Sequence, residues 1–215
     1  MKTYMIVGLG RFGSEVARKL YSLGCEVMVL DTHSELVQQI SSEVTHAVVA
    51  DARDKEVLRA LGAKDFDCAV VAIGGSLADS VLATMNLKEL GVPYVVCKAH
   101  DDTHRQVLQK LGADQVVIPE QENAVRLARS LSSPNVLDYI ELSDEYGIVE
   151  RPVPKSWLGK SLRELNVRAK RGVNILAIRR DGQINISPGA DFVFLQNDVI
   201  VVLGDTAALN AVQKI

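Results

Sequence analysis

The stretch Tyr4-Met5-Ile6-Val7-Gly8-Leu9-Gly10-Arg11-Phe12-Gly13 decides how the first half of the chain is read. Four apolar residues run into a Gly-x-Gly-x-x-Gly spacing. Beyond it Val16, Leu20 and Leu23 fall on one face of a helical repeat. In a strand–turn–helix unit of this kind, Gly8 permits the tight turn and Gly10 lets backbone approach a pyrophosphate. Gly13 lets the helix pack close to the strand, so the helix N-terminus faces the phosphates. The spacing alone is a weak signal, and the strand before it and the helix after it give it weight. Asp31 closes the next apolar run, 18 residues after Gly13. An acid there binds ribose hydroxyls and repels the 2′-phosphate of NADP, and it would equally cap a helix starting at Ser34.

Working outward, the same alternation repeats. Short β-branched runs at Val27–Leu30, Ala47–Ala50, Cys68–Ile73, Tyr94–Cys97 and Gln115–Ile118 predict strands buried on both faces. Between them, helical spacing marks Leu36 and Ile40, Val57 and Leu61, Leu82, Met85 and Leu90, and Val107 and Leu111. Gly24, Gly62, Gly91 and Gly112 follow these runs as helix-ending residues. Repeated βα units with short connections predict an α/β fold, a Rossmann-like doubly wound parallel sheet, over residues 1–120. A helical crossover follows over 121–143. It comprises Glu122–Leu131, broken at Ser132-Ser133-Pro134, and a resumed helical pattern over Asn135–Leu142 outside any sheet. Residues 144–215 predict a small α+β domain. Its strands are Ile148–Val153, Val173–Arg179, Ile184–Ser187 and Asp198–Leu203, with turns at Asp181-Gly182 and Ser187-Pro188-Gly189 and helices at Leu162–Leu165 and Thr206–Val212.

Composition narrows the function. The 215 residues are 47% hydrophobic and 24% charged with a net charge of −3, which speaks against nucleic acid or an anionic membrane as partner. The longest stretch without Asp, Glu, Lys or Arg runs from Cys68 to Ala78, short of the ~20 residues a bilayer-spanning helix needs. The first residues lack the layout of a signal peptide, and Cys25, Cys68 and Cys97 lie far apart in apolar runs. Both features fit reduced thiols in a cytoplasmic protein.

The remaining candidates sit at the ends of the first-half strands. Arg11, inside the glycine loop, offers a fork of donors to terminal phosphate oxygens, or is a solvated helix-start arginine. Asp51 lies at the rim where an adenine would rest, or caps the next helix. Lys98 adds positive charge at the same sheet edge, or is a surface lysine. Glu120 could hold a phosphate-bound cation, or stabilise its own helix as a first-turn acid. His100 and His104 have a metal-compatible spacing with no third ligand in sight, and are read as solvated histidines. No nucleophile–base pair stands out, and the second half contains no histidine. The chain is therefore read as a binding or assembly module rather than an enzyme, with a small NAD-dependent oxidoreductase as the weaker alternative.

Val7-Gly8-Leu9-Gly10-Arg11-Phe12-Gly13, Val71-Ala72-Ile73-Gly74 and Leu111-Gly112-Ala113-Asp114 with Pro119-Glu120 resemble the RCK family of potassium-conductance regulators. Asn135-Val136-Leu137-Asp138-Tyr139-Ile140-Glu141-Leu142-Ser143-Asp144-Glu145-Tyr146 and Leu165-Asn166-Val167-Arg168-Ala169-Lys170 are similar to the regulatory subunits of bacterial Ktr/Trk-type potassium uptake systems. The resemblance covers essentially the whole chain. It implies an RCK-N (TrkA-N) domain, a crossover and an RCK-C (TrkA-C) domain, in dimers that build an octameric ring. It further implies that the ring docks, at the inner face of the cell membrane, on a membrane-embedded subunit that conducts potassium.

The implied ligands are ATP and ADP, or NAD and NADH in a redox-sensing subunit of the Trk type. Magnesium or another divalent cation would bind at Glu120. Carried over by position, Gly8, Gly10, Arg11, Phe12 and Gly13 surround the phosphates. Asp31 holds the ribose, Asp51 and Ala52 flank the adenine, Lys98 and Glu120 lie near the terminal phosphate, and Thr32, Ile73 and Gly74 are further nucleotide-binding positions. A second ligand, cyclic di-AMP, is implied at Leu162, Arg168, Ala169, Asn174 and Pro188, although Arg163 stands where relatives carry an apolar residue.

Overall fold

The computed structural model describes residues 2–132, 138–143 and 145–213. The chain divides into two compact units, residues 1–120 and 121–215.

In the first unit the β-branched runs become six parallel strands: Thr3–Val7 (β1), Glu26–Asp31 (β2), His46–Val49 (β3), Cys68–Val71 (β4), Val95–Lys98 (β5) and Gln115–Val117 (β6). Their order across the sheet is β3-β2-β1-β4-β5-β6, with Val7 beside both Leu30 and Val71. Five helices connect them: Arg11–Ser22 (α1), Ser34–Ile40 (α2), Lys55–Ala60 (α3), Leu77–Glu89 (α4) and Asp102–Lys110 (α5). Alternate strand residues feed two cores. Met5, Val7, Leu30 and Val71 pack with Leu58, Leu87 and Leu108 of α3, α4 and α5. Ile6, Val29 and Val70 pack with Ala17, Val37 and Ile40 of α1 and α2. Period-two alternation thus assigns each strand residue to one helical layer.

Each fully buried side chain of this size contributes about 1.5–3 kcal/mol as an upper estimate. Since the chain winds from β1 out to β3 and then crosses back to β4, the loops after β1 and β4 diverge. A crevice opens between them at the carboxyl ends of the strands. Leu23, placed on the buried face by periodicity, is 64% exposed, because α1 ends at Ser22 and the chain turns away there.

Helix Pro119–Ser132 (α6) begins in the last two residues of the first unit and carries the chain into the second, which is otherwise built on an antiparallel sheet. Its strands are Asp138–Glu141 (β7), Tyr146–Pro152 (β8), Asn174–Arg180 (β9), Gln183–Asn185 (β10) and Val199–Asp205 (β11), in the order β10-β9-β11-β8-β7. Asp181-Gly182 makes the tight hairpin turn between β9 and β10, with positive φ at both residues (49° and 81°). Trp157, Phe194, Ile178, Ile200 and Val202 form its core, with Trp157 and Phe194 ring centroids 5.8 Å apart. Helices Leu162–Leu165 (α7) and Thr206–Gln213 (α9) fall where their sequence pattern placed them.

Two expectations fail here. The helical pattern over Asn135–Leu142 is not realised at its C-terminal end: Asp138–Glu141 is a strand, antiparallel to β8 with Tyr139 beside Val149. Pairing with β8 satisfies its backbone and overrides the local pattern, while residues 133–137 lie outside the described residues. The second failure is Val167–Arg171 (α8), a helix that was not anticipated. Left-handed Asn166 (φ 42°) separates it from α7.

Candidate functional site

The crevice of the first unit is a cleft of about 710 Å³, within the range of small-molecule sites. Its geometry begins with the three glycines, which differ in what holds them. Gly8 has φ +95°, and a Cβ there would lie 3.1 Å from the backbone of Ala72 and Ile73. At Gly13 a Cβ would lie 2.0 Å from the Gly8 carbonyl oxygen, so its role is close contact of α1 with the loop. Gly10 has an ordinary φ of −64° and nothing within 4 Å of a Cβ position. Nothing within the described chain requires glycine at position 10, and it lines the cleft.

Gly10 is also the N-cap of α1. The helix starts with no capping side chain and no acid in its first turn, so its positive end and its first N–H groups are left to the cleft. Behind the loop, Asp31 is 11% exposed and takes the Leu9 N–H on Oδ2 at 2.7 Å and the His33 N–H on Oδ1 at 2.9 Å. Burial pushes the Asp31 pKa up, but the hydrogen bonds from Leu9 and His33 outweigh it and leave the group below its ordinary value. Asp31 therefore clamps the glycine loop to the end of β2 as well as facing the cleft.

Charge is distributed unevenly around the cleft. Arg11 is exposed at its edge, with no ion pair among the described residues. Lys98, at the end of β5, is 13% exposed, lies 5.9 Å from the Phe12 ring centroid, and donates to Glu120 Oε1 at 2.6 Å. It is not a free surface lysine. That bond is the main reason the Glu120 pKa is lowered. At the other side, after β3, Asp51 receives a fork from Arg53: Nη2 to Oδ2 at 2.6 Å, and Nε at 2.9 and 3.0 Å to the two oxygens. The Arg53 bonds hold the Asp51 carboxyl below its usual range. Arg53 Nη1 also reaches Asp79 Oδ1, near the start of α4, at 3.1 Å.

Of the residues expected to bind a nucleotide, Gly8, Gly10, Arg11, Phe12, Asp31, Thr32, Asp51, Ala52, Ile73, Gly74, Lys98 and Glu120 line this cleft, and Gly13 stands behind it. His33, Leu36, Arg53, Gly75, Ser76 and Asp79 line it too and were not anticipated. The Ser-x-x-Asp spacing at 76–79 is a legible cap signature: the Ser76 hydroxyl accepts from the Asp79 N–H at 3.2 Å. Arg53 gives no such sign in the sequence.

Glu120 is a single carboxylate committed to Lys98, and the described residues contain no group of three or more metal-ligating side chains. They do not fit a resident metal. His100 and His104 stack at 5.9 Å between centroids. His104 is buried rather than solvated, and burial lowers its pKa.

The five residues expected around a second ligand lie on several elements of the second unit. Arg168 and Ala169 are exposed on α8, Asn174 starts β9, Pro188 lies in the loop beyond β10, and Leu162 is half-buried on α7. A cavity in that unit is lined by Trp157, Lys160, Leu165, Lys170, Arg171 and neighbours. Arg163 is paired with Asp191 at 2.9 Å.

Comparison with known proteins adds to this geometry. A TrkA-N domain model matches residues 4–119 and a TrkA-C domain model residues 148–215. Ktr system potassium uptake protein C of Bacillus subtilis (strain 168) is 41% identical over 213 residues, 99% of this chain and 96% of that protein. Ktr system potassium uptake protein A of the same organism is 42% identical over 203 residues, 94% of this chain and 91% of that protein. Among solved structures the GsuK channel shares the fold, with a TM-score of 0.69 at 21% identity. That match covers 99% of this chain but 39% of the channel chain.

Proposed function

This chain belongs to the TrkA-N/TrkA-C family, together with the Ktr potassium uptake proteins, and from that premise we propose that it is a nucleotide-gated regulatory subunit of a potassium uptake transporter. One observation carries the nucleotide part. The uncapped N-terminus of α1 at Gly10, between Arg11 and Lys98, leaves donors and open space for a polyphosphate. Asp31 and the loop after β3 would take the ribose and base.

The role is regulatory rather than catalytic. The acids that line the cleft are held by Leu9 and His33, by Arg53, and by Lys98, which suits binding rather than proton transfer to a substrate. A ligand shifts a conformational equilibrium only through unequal affinity for its states. The γ-phosphate is the large difference between ATP and ADP, and Arg11, exposed at the cleft edge with no ion pair among the described residues, would sense it.

No described helix is long and apolar enough to cross a membrane, and likeness to the Ktr potassium uptake proteins supports conduction by a separate membrane subunit. This chain would act on that subunit from the cytoplasmic side as a ring of dimers. Glu120 offers at most one ligand to a divalent cation, whose other ligands would be phosphate oxygens. Cyclic di-AMP enters the same reading through Arg168 on the second unit, and a calorimetric titration giving no heat would remove it.

The decisive test is titration of nucleotide-stripped protein with ATP, ADP, NADH and NAD, with and without magnesium. The expected result is binding of ATP and ADP, with Arg11→Ala weakening ATP more than ADP by about tenfold. Selective binding of NADH would turn the reading to a redox-sensing subunit. Absence of binding to all four would overturn it.

A further inference from the structure

The cleft has two electrical ends. The α1 N-terminus and Arg11, with the Lys98–Glu120 pair, make one end positive on balance, while Asp31 and Asp51, and Asp79 reached through Arg53, make the side towards β3 negative. The loop after β3 stands two strand spacings, about 10 Å, from the loop after β1. A nucleoside whose phosphates lie on α1 spans that distance and meets the loop with its base.

The loop is held with unusual care. Buried Asn86 of α4 donates to the carbonyls of Ala52 and Arg53 at 3.2 and 2.9 Å. The Arg53 backbone N–H donates to Asp51 Oδ1 at 2.9 Å, and its guanidinium grips both oxygens. Asp79 takes the remaining Nη1. We infer that Arg53 is a positioning residue that fixes the Asp51 carboxylate as a hydrogen-bond acceptor at the base end of the cleft, and that this makes the cleft select a purine carrying an exocyclic amino group.

The chemistry follows from the inventory of lone pairs. A carboxylate has four acceptor sites; three N–H groups of Arg53 engage it, the Nε–H shared between both oxygens, which leaves one site, and Asp51 lines the cleft. An amino group meeting that oxygen gains a charge-assisted bond, whereas a base without one leaves a desolvated carboxylate facing C–H. The Arg53 fork is engaged by two acids. Its effect passes through Asp51.

The inference rests on the proposed nucleotide reading and is tested with two probes, ATP and purine riboside triphosphate, which differ only by the 6-amino group. Affinities are measured for the wild type, Arg53→Ala, Arg53→Lys and Asp79→Asn. The expected result is a preference of about tenfold for ATP in the wild type. Arg53→Ala should collapse it by weakening ATP alone, and Arg53→Lys, which keeps charge without the fork, should restore it in part. Asp79→Asn should lie between Arg53→Ala and the wild type. A merely structural role would weaken both probes equally and leave their ratio unchanged. Equal loss in Arg53→Ala, or no preference in a wild type that binds both, overturns the inference while the nucleotide reading stands. Failure of the wild type to bind either probe overturns both.

Discussion

Helices α1, α4 and α5 all begin at the same edge of one parallel sheet, yet they begin differently. Ser76 caps α4 and Asp101 caps α5, and each has an acid in its first turn, Asp79 and Asp102. Helix α1 begins on Gly10 with neither. A cap is worth about 1 kcal/mol, so α1 forgoes stability that α4 and α5 have; α2 begins on His33 without a side-chain cap too, but carries Glu35 in its first turn. Three helices in the same topological position thus separate a start that serves the fold from one left open to a ligand.

The strongest way to break the contrast is to give α1 what α4 and α5 already have. Gly10→Asp supplies a capping carboxylate and places negative charge at the helix start. Thermal stability should hold or rise by a few tenths of a kcal/mol. Nucleotide affinity should fall by about a hundredfold or more, because the acid occupies the donors and repels the phosphates. A variant that is both less stable and fully competent to bind would show that Gly10 serves the fold after all. Gly13 sharpens the point from the other side. Gly13→Ala drives a methyl group into the Gly8 carbonyl, so it should lower stability in denaturant melts by about 1–3 kcal/mol.

The same division explains what the sequence could and could not announce. Tyr4–Val7 and Cys68–Val71 were legible because residues buried on both sheet faces leave an unbroken β-branched run. The glycine loop was legible because its three spacings follow from backbone geometry, with Asp31 at the end of the next run. Arg53 was not legible. Its role exists only because α4 returns across the loop after β3 and brings Asp79 and Asn86 to it, 26 and 33 residues on in the chain. The committed state of Lys98 likewise comes from Glu120, 22 residues on in the chain at the start of α6. Asp138–Glu141 failed for the same reason, since its partner strand decides its state and four residues carry little periodicity.

A third effect is smaller and depends on pH. The folded-state pKa of Asp31 lies below its unfolded value, so the unfolded chain binds the proton more tightly. The stability Asp31 contributes is fully present above the ordinary carboxylate range and is lost as pH falls through the folded pKa. Relative to Asp31→Asn, the wild type should be more stable by about 1–2 kcal/mol at neutral pH. That difference should shrink steadily below about pH 4. Thermal melts of both proteins across that range would show it. A constant gap would mean that the Leu9 and His33 bonds depend on shape and not on charge.

The smallest effect is the most informative control. Asp101 Oδ1 accepts the His104 N–H at 2.8 Å and caps α5, and Asp101 does not line the cleft. Asp101→Ala should cost about 1 kcal/mol in a urea melt, the ordinary worth of a cap. It should leave nucleotide affinity within about twofold of the wild type, a difference well under 1 kcal/mol. Since Asp101 also favours the protonated form of His104, the variant should leave the already lowered pKa of that buried ring lower still. If stability falls while affinity stays, capping and binding are separate properties of neighbouring helices, and the open start of α1 reflects what it binds. Should affinity fall in step with stability, the cleft answers to the rigidity of the whole strand edge. The difference between α1 and its neighbours would then be one of degree.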